Sequence, residues 1–314
     1  MNAASAFHFD SLVWDWPIAI YLFLLGISSG LVILAVLLRR YHPQAGGPDS
    51  TLLRTTLVLG PGAIILGLLI LIFHLARPWT FWKLMFNYSL TSVMSMGVML
   101  FQAYMAVLIL WLAKIFEKEL LALLPRVGVL RTALGWLTPL HRPLETLLLA
   151  LAVLLGAYTG FLLSALKSYP LLNHPLLPAL FLVSGLSSGA AAALIAMALR
   201  ARAHPQSAEA HFVHRLETPV VWVEIFLLAA FFIGLALGDA GKTRALAAAL
   251  GGGFWSLWFW LGVVGIGLLL PMLLRPWLSR RPTLAGTLLV SGASLTGVLL
   301  LRFFILYAGQ LTVA

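Results

Sequence analysis

The sequence predicts an all-α polytopic membrane protein of eight transmembrane helices, arranged as two parallel four-helix bundles with both termini on the outer, periplasmic side. Three observations predict it. The apolar fraction is 61% and the charged fraction 10%, whereas a soluble domain carries roughly a quarter charged residues; mean hydropathy is +1.01. Eight apolar runs reach the about 20 residues that a helix needs to cross roughly 30 Å of hydrocarbon. The basic residues divide unequally between the two sides that those runs define.

The runs are Pro17–Leu38, Thr55–Leu75, Ser92–Leu112, Leu144–Leu166, Leu176–Leu199, Val220–Leu237, Gly252–Leu274 and Leu284–Tyr307. Residues 1–16 contain no Lys or Arg, and no small-residue cleavage site follows the first run, so it is expected to stay in the mature protein. With the N-terminus outside, Arg77, Lys83, Lys167, Lys242 and Arg244 fall in outer segments and Arg302 falls in a span. The remaining fourteen of the 20 Lys and Arg residues fall in inner segments. This bias sets the orientation. It also explains the net charge of +10 by basic inner loops, without a nucleic-acid partner.

The longest connection, Lys114–Pro143, contains the amphipathic piece Lys118–Leu137 and is expected along the inner surface. It divides the chain into a first bundle (1–113 with 138–170), an inner linker (114–137) and a second bundle (171–314). A weak internal repeat agrees with that division. Helix one carries Gly26-Ile-Ser-Ser-Gly30 and helix five carries Gly185-Leu-Ser-Ser-Gly189, each shortly after Leu-Phe-Leu; helices four and eight end in Tyr158-Thr-Gly160 and Tyr307-Ala-Gly309. Both pairs run in the same direction, so the repeat is parallel. Gly-x-x-x-Gly is equally the ordinary chemistry of close helix packing in membranes.

Ionisable residues inside spans cost roughly 2.5–3.5 kcal/mol on insertion scales, so each needs a reason. Glu145 and Glu217 stand at inner helix ends, Glu224 about two turns further into helix six, and Arg302 in the outer half of helix eight. On these spans Glu224 lies nearer the inner end than Arg302, and a pair between them requires different boundaries. Glu145, Glu224 and Arg302 are the candidates for a proton pathway; a structural lock within the second half is the competing reading.

The outer end of the first half is richer in polar and aromatic groups. It offers Asp15, Tyr21, His74, Arg77, Tyr88, Ser92 and Tyr158, with Trp79 and Trp82 read as an interfacial anchoring belt. Asp15, His74 and Tyr158 place an acid, an imidazole and a phenol at similar depth. A lipid-soluble diol needs such groups, because its hydroxyls must be hydrogen-bonded and then deprotonated as electrons leave. A resident haem needs two axial histidines on facing helices. Here His42, His141, His204, His211 and His214 fall in inner loops or at their edges, His8 in the N-terminal tail, and only His74 and His174 lie together, the latter in a loop. The chain has no cysteine, which removes Cys-ligated iron–sulfur clusters.

Pro17-Ile-Ala-Ile-Tyr21-Leu-Phe-Leu-Leu-Gly26, His74-Leu-Ala-Arg77-Pro, Ser92-Val-Met-Ser-Met-Gly97, Tyr158-Thr-Gly160 and Arg302-Phe-Phe-Ile-Leu-Tyr307-Ala-Gly309-Gln310 resemble, in order and over nearly the whole chain, the NrfD/PsrC family of membrane subunits of bacterial respiratory oxidoreductases. Ser5-Ala-Phe-His-Phe-Asp10 and Gly234-Leu-Ala-Leu-Gly-Asp-Ala240 bring it nearest to the branch serving formate-dependent nitrite reduction. The resemblance implies a multi-pass protein of the bacterial inner membrane. It implies no bound haem, flavin, iron–sulfur cluster or metal, and a menaquinol pocket near the outer face. Tyr158 then matches the helix-four tyrosine that partners the quinone, with His74 and Asp15 beside it and Tyr21, Arg77, Tyr88 and Ser92 around it. A ferredoxin-like iron–sulfur subunit would dock over the pocket and pass electrons through a multihaem cytochrome to a nitrite reductase that forms ammonia. Two other classes stay open: a transporter with Glu224 and Arg302 along its path, and a passive membrane anchor for a soluble redox protein.

Overall fold

The computed structural model describes residues 3–75, 77–123, 128–200, 208–280 and 283–311. His204 and three of the fourteen inner basic residues (Arg126, Arg202 and Arg281) lie outside the described residues, as do positions 124–127 of the linker. Among the described residues there is no strand, and eight helices are long and apolar enough to cross a membrane. They are α1 (Trp16–Tyr41), α2 (Thr51–His74), α3 (Val93–Ile115), α4 (His141–Ser164), α5 (Leu177–Arg200), α6 (Ala208–Ala236), α7 (Phe254–Pro276) and α8 (Leu284–Gln310). Short helices cover Phe81–Phe86 before α3, Glu117–Leu123 and Gly128–Trp136 before α4, and Ala240–Leu250 before α7.

Local chemistry starts and stops these helices. Ser50 and Thr283 accept the backbone N–H groups of Leu53 (3.2 Å) and Gly286 (3.1 Å), capping α2 and α8. Pro17 opens α1, where a missing N–H costs nothing, and Arg39 and Arg40 close it against the negative end of the helix dipole. The largest departure from the sequence reading is α6, which begins at Ala208 and not Val220. Its first turns, Ala-Glu-Ala-His-Phe-Val-His-Arg-Leu-Glu-Thr-Pro, are too polar for a hydropathy window to include, yet they continue the same helix through Pro219. Glu224 therefore stands near the middle of α6, not near its inner end.

The buried centre is made by α1 and α5: 83% and 72% of their most apolar stretches are buried, against 17–56% for the other six helices. α1 packs on α2, α4, α5 and α8; α5 packs on α1, α4, α6 and α8; α7 leans on α8. The two Gly-x-Ser-Ser-Gly segments form the α1–α5 crossing. A Cβ on Gly26 would stand 3.3 Å from the Gly185 Cα, while one on Gly30 or Gly189 would overlap the backbone of the other helix. Only hydrogen at these four positions lets the two backbones touch. Ser29 and Ser188 are turned to their own helices, Ser29 Oγ donating to Gly26 O (3.0 Å) and Ser188 Oγ to Gly185 O (2.8 Å), whereas Ser28 Oγ donates to Gly60 O of α2 (2.7 Å). A second glycine contact, Gly267 against Gly297, joins α7 to α8 where α7 winds as a π-helix over Trp258–Leu269.

Candidate functional site

Four elements converge at the end of the bundle that carries Asp15. Asp15 precedes α1 in extended conformation, and His74 is the last residue of α2. Their side chains are about one-third exposed, with His74 Nε2 3.1 Å from Asp15 Oδ1; Oδ1 is buried and receives no well-aligned hydrogen bond from the described residues. Tyr21 lies six residues further along α1, about 9 Å deeper at 1.5 Å rise per residue. It is 3% exposed and within electrostatic range of Tyr158 of α4, itself 7% exposed. Two glycines make room for these phenols. A Cβ on Gly67 of α2 would lie 3.3 Å from the Tyr21 ring, and one on Gly97 of α3 would overlap the Tyr158 ring and its Oη. The Tyr158 hydroxyl makes no hydrogen bond with the described residues.

The other outer-end candidates have local duties. Ser92 caps α3, accepting from Ser95 N at 3.4 Å. Tyr88 donates to Gln102 Oε1 at 2.8 Å, and Arg77 is exposed. The structure thus sets His74 beside Asp15 and Tyr21 near Tyr158, and gives Tyr88 and Ser92 local hydrogen bonds of their own.

Sequence reasoning gave Gly67, Gly97, Tyr307 and Gln310 no part in this site. Gln310, 1% exposed, grips the segment that carries Asp15: its Oε1 accepts from Val13 N and Trp14 N (2.9 Å each), and its Nε2 donates to Trp14 O (2.7 Å). Ser11 Oγ donates to Gln310 O (2.8 Å), and Tyr169 Oη to Ser11 O (3.1 Å). Tyr307 is stacked on Trp255 (centroids 5.3 Å apart) and interacts with Asp15. The second half of the chain therefore holds in place an acid that belongs to the first. The signal was present in the Tyr307-Ala-Gly309-Gln310 ending of α8, but its target lies nearly three hundred residues away.

Deeper in the bundle, Arg302 is fully buried. Its Nη2 donates to Phe181 O (3.0 Å), its guanidinium lies 3.7 Å from the Phe181 ring centroid, and Nε and Nη1 have no partner among the described residues. Glu224, 3% exposed, hydrogen-bonds Ser187 and interacts electrostatically with Arg302. The depth difference expected from the spans is corrected: with Glu224 near the middle of α6, its carboxylate lies within electrostatic range of the Arg302 guanidinium, without a direct salt bridge among the described residues. Glu145 sits apart, accepting from Arg39 Nε (2.7 Å) and Trp111 Nε1 (3.3 Å). Among the described residues, no three His, Asp or Glu side chains come together in a metal-binding group.

These features define a polytopic helical protein with an Asp15–His74 contact and two neighbouring phenols towards one end, and a buried arginine within electrostatic range of a buried carboxylate in its core. A model of the family described as "Polysulphide reductase, NrfD" matches residues 4–314. The protein is 74% identical to "Protein NrfD" of Escherichia coli K12 over the full length of both. It is 50% identical to "Protein NrfD homolog" of Haemophilus influenzae over 98% of each, and 40% identical to a polysulfide reductase subunit of Wolinella succinogenes over 96% of each. The protein belongs to the NrfD family and is a multi-pass protein of the bacterial inner membrane, of a family whose members are membrane subunits of redox complexes.

Proposed function

We propose that this protein oxidises menaquinol at the Asp15 end and hands the electrons to a ferredoxin-like iron–sulfur subunit docked on the periplasmic side. A multihaem cytochrome and a nitrite reductase forming ammonia would lie beyond it. The observation that carries the reading is the Tyr158 phenol: buried against Gly97, level with Tyr21, and with no hydrogen-bond partner among the described residues. A hydroxyl with no such partner is available to hydrogen-bond an oxygen of a bound diol. Menaquinol supplies two electrons and two protons per oxidation. In this reading Tyr158 Oη and His74 Nδ1 hold the quinol oxygens. Nδ1 accepts one proton, while Nε2, 3.1 Å from Asp15, lets the carboxylate orient the ring and stabilise its charged form. The second proton leaves past the partly exposed His74–Asp15 pair to outer water. The excess of basic residues at the opposite end supports an outward-facing pocket.

The test is quinone extraction from purified protein alongside quinol-dependent reduction of the partner by wild type and Tyr158→Phe. Co-purifying menaquinone, with a rate at least about tenfold lower in the variant, is expected; general acid–base and positioning groups contribute on the order of 10²–10⁴. A full rate in Tyr158→Phe sinks the role of that hydroxyl, and protein that binds no quinone sinks the pocket.

Buried Glu224 and Arg302, within electrostatic range of each other, favour a second reading of the molecule's interior, in which Glu145, Glu224 and Arg302 mark a route for protons or ions. Purified protein in liposomes would then carry a flux without any redox partner. Silence under a pH gradient removes that reading and leaves the pair as a lock.

A further inference from the structure

At the end opposite Asp15, the α1–α2 connection and the start of α4 enclose a cavity of about 520 Å³, lined by Arg39, Arg40, Gly46, His141, Arg142 and Glu145 among others. That volume falls within the about 300–1,000 Å³ range of small-ligand sites. Three guanidiniums and an imidazole surround one carboxylate, and that carboxylate is already engaged by Arg39 and Trp111. Arg39 is further fixed by donating from Nη1 to Gly46 O (3.3 Å). Arg40 and Arg142 are exposed, and neither side chain has a hydrogen-bond or ion-pair partner among the described residues. The wall they share opens α4 at His141, and Leu140 before it supplies no side-chain cap. Of the first amides only those of His141 and Arg142 stay free among the described residues, since Pro143 has no N–H and Leu144 N donates to Leu140 O (2.9 Å), and the positive end of the helix dipole adds to the charge there.

Arg40 and Arg142 are gathered here with no acid left to balance them, since the one carboxylate of the lining is taken by Arg39, at a helix N-terminus and in a cavity open to solvent. Arg39 and Arg40 form the last turn of α1, and His141 and Arg142 the first turn of α4. All four thus stand where spanning helices leave the hydrocarbon. Guanidinium forks bind the oxygens of phosphate in pairs, and basic pockets between helix ends at this level suit phospholipid headgroups. We infer that this cavity binds a phosphate-bearing anion, with Arg40 and Arg142 as the free donors and the Arg39–Glu145 pair as the fixed wall.

The experiment uses the full-length protein, purified in an uncharged detergent and stripped of lipid, with its unfolding temperature followed. It is titrated separately with phosphatidylglycerol, phosphatidylcholine and inorganic phosphate. A saturable rise with phosphatidylglycerol alone supports the site and identifies a lipid headgroup; a rise with inorganic phosphate as well supports it and identifies a free anion. Arg40→Gln and Arg142→Gln should each raise the half-saturating concentration about fivefold, the contribution of one basic residue at an anionic surface. Lys83→Gln, at the opposite end, should leave it unchanged. Because Arg40 and Arg142 leave no buried partner behind, their variants should match wild type in unfolding temperature before ligand is added. An equal rise with phosphatidylcholine and phosphatidylglycerol, no rise with any of the three, or a rise insensitive to both variants overturns the proposal.

Discussion

A guanidinium with no exposed surface is stable only if its surroundings take over from water, and Arg302 shows how that is done. One N–H group is bonded to the Phe181 carbonyl, the plane rests on the Phe181 ring, and Glu224 supplies the opposite charge. Removing one member leaves the other charged, buried and alone. Arg302→Met should therefore cost about 3–5 kcal/mol, whereas the double variant Arg302→Met with Glu224→Gln should recover much of that loss. A double-mutant cycle of unfolding free energies reads the coupling, and strictly additive losses would deny the pair. His174 gives a pH-dependent counterpart outside the spans. Burial, then the charge of Lys242, lowers its pKa from 6.5, and its Nδ1 accepts from Leu176 N (3.3 Å), a bond that only the unprotonated nitrogen can accept. Below 6.5 the unfolded chain takes up a proton that the folded chain resists, so this group's contribution falls with acidification through that window and is level above it. The thermal midpoint should drop between neutral and mildly acidic pH, and His174→Gln should reduce the drop; an unchanged slope would count against it.

At the scale of elements, the glycines separate into those that are essential and those that are incidental. Gly189 of α5 lies against the backbone of Gly30, whereas nothing lies near the position of a Cβ on Gly62 of α2. Gly189→Ala must push two backbones apart, at about 1–3 kcal/mol or more. Gly62→Ala meets no obstacle and should be neutral or stabilising by up to about 1 kcal/mol through helix propensity. Denaturation of the two purified variants decides it, and equal effects would show that the α1–α5 crossing does not govern stability. The same contact explains why the Gly-x-Ser-Ser-Gly repeat was legible as a packing motif but not as a partnership. Sequence spacing shows a face of small residues, and only the fold shows that the two faces are each other's complement.

The whole molecule joins its halves at both levels. α1 and α5 share one core, and Gln310 at the end of α8 holds the segment before α1. Asp15, the α2 end at His74, Ser164, Leu177, Ala236, Phe254 and Gln310 therefore lie at one end of the bundle, with Arg39, Glu145, Glu217 and Arg275 at the other. With no native cysteine, single cysteines report orientation without background. Lys167→Cys should react with an impermeant maleimide in intact spheroplasts, and Lys118→Cys only after lysis. The reverse pattern would place the Asp15 end in the cytoplasm and remove the periplasmic partner from the proposed function.

By itself the sequence determined the class, the number of crossings and the family, because each depends on local quantities: apolar run length and motifs contiguous in the chain. It also singled out Asp15, His74, Tyr21 and Tyr158, since polar and aromatic types near helix ends stand out against an apolar background. It weighed Glu224 as a partner for Arg302 but set them at different depths, because the first turns of α6 are polar and hydropathy counts residues, not hydrogen-bonded turns. Only the tertiary structure decided that Gly97 makes space for Tyr158, that Gln310 holds the Asp15 segment, and that Arg39, Arg40 and Arg142 face one cavity. These are contacts between residues far apart in the chain, and which surfaces meet is set by packing the eight helices against one another, which no single helix encodes.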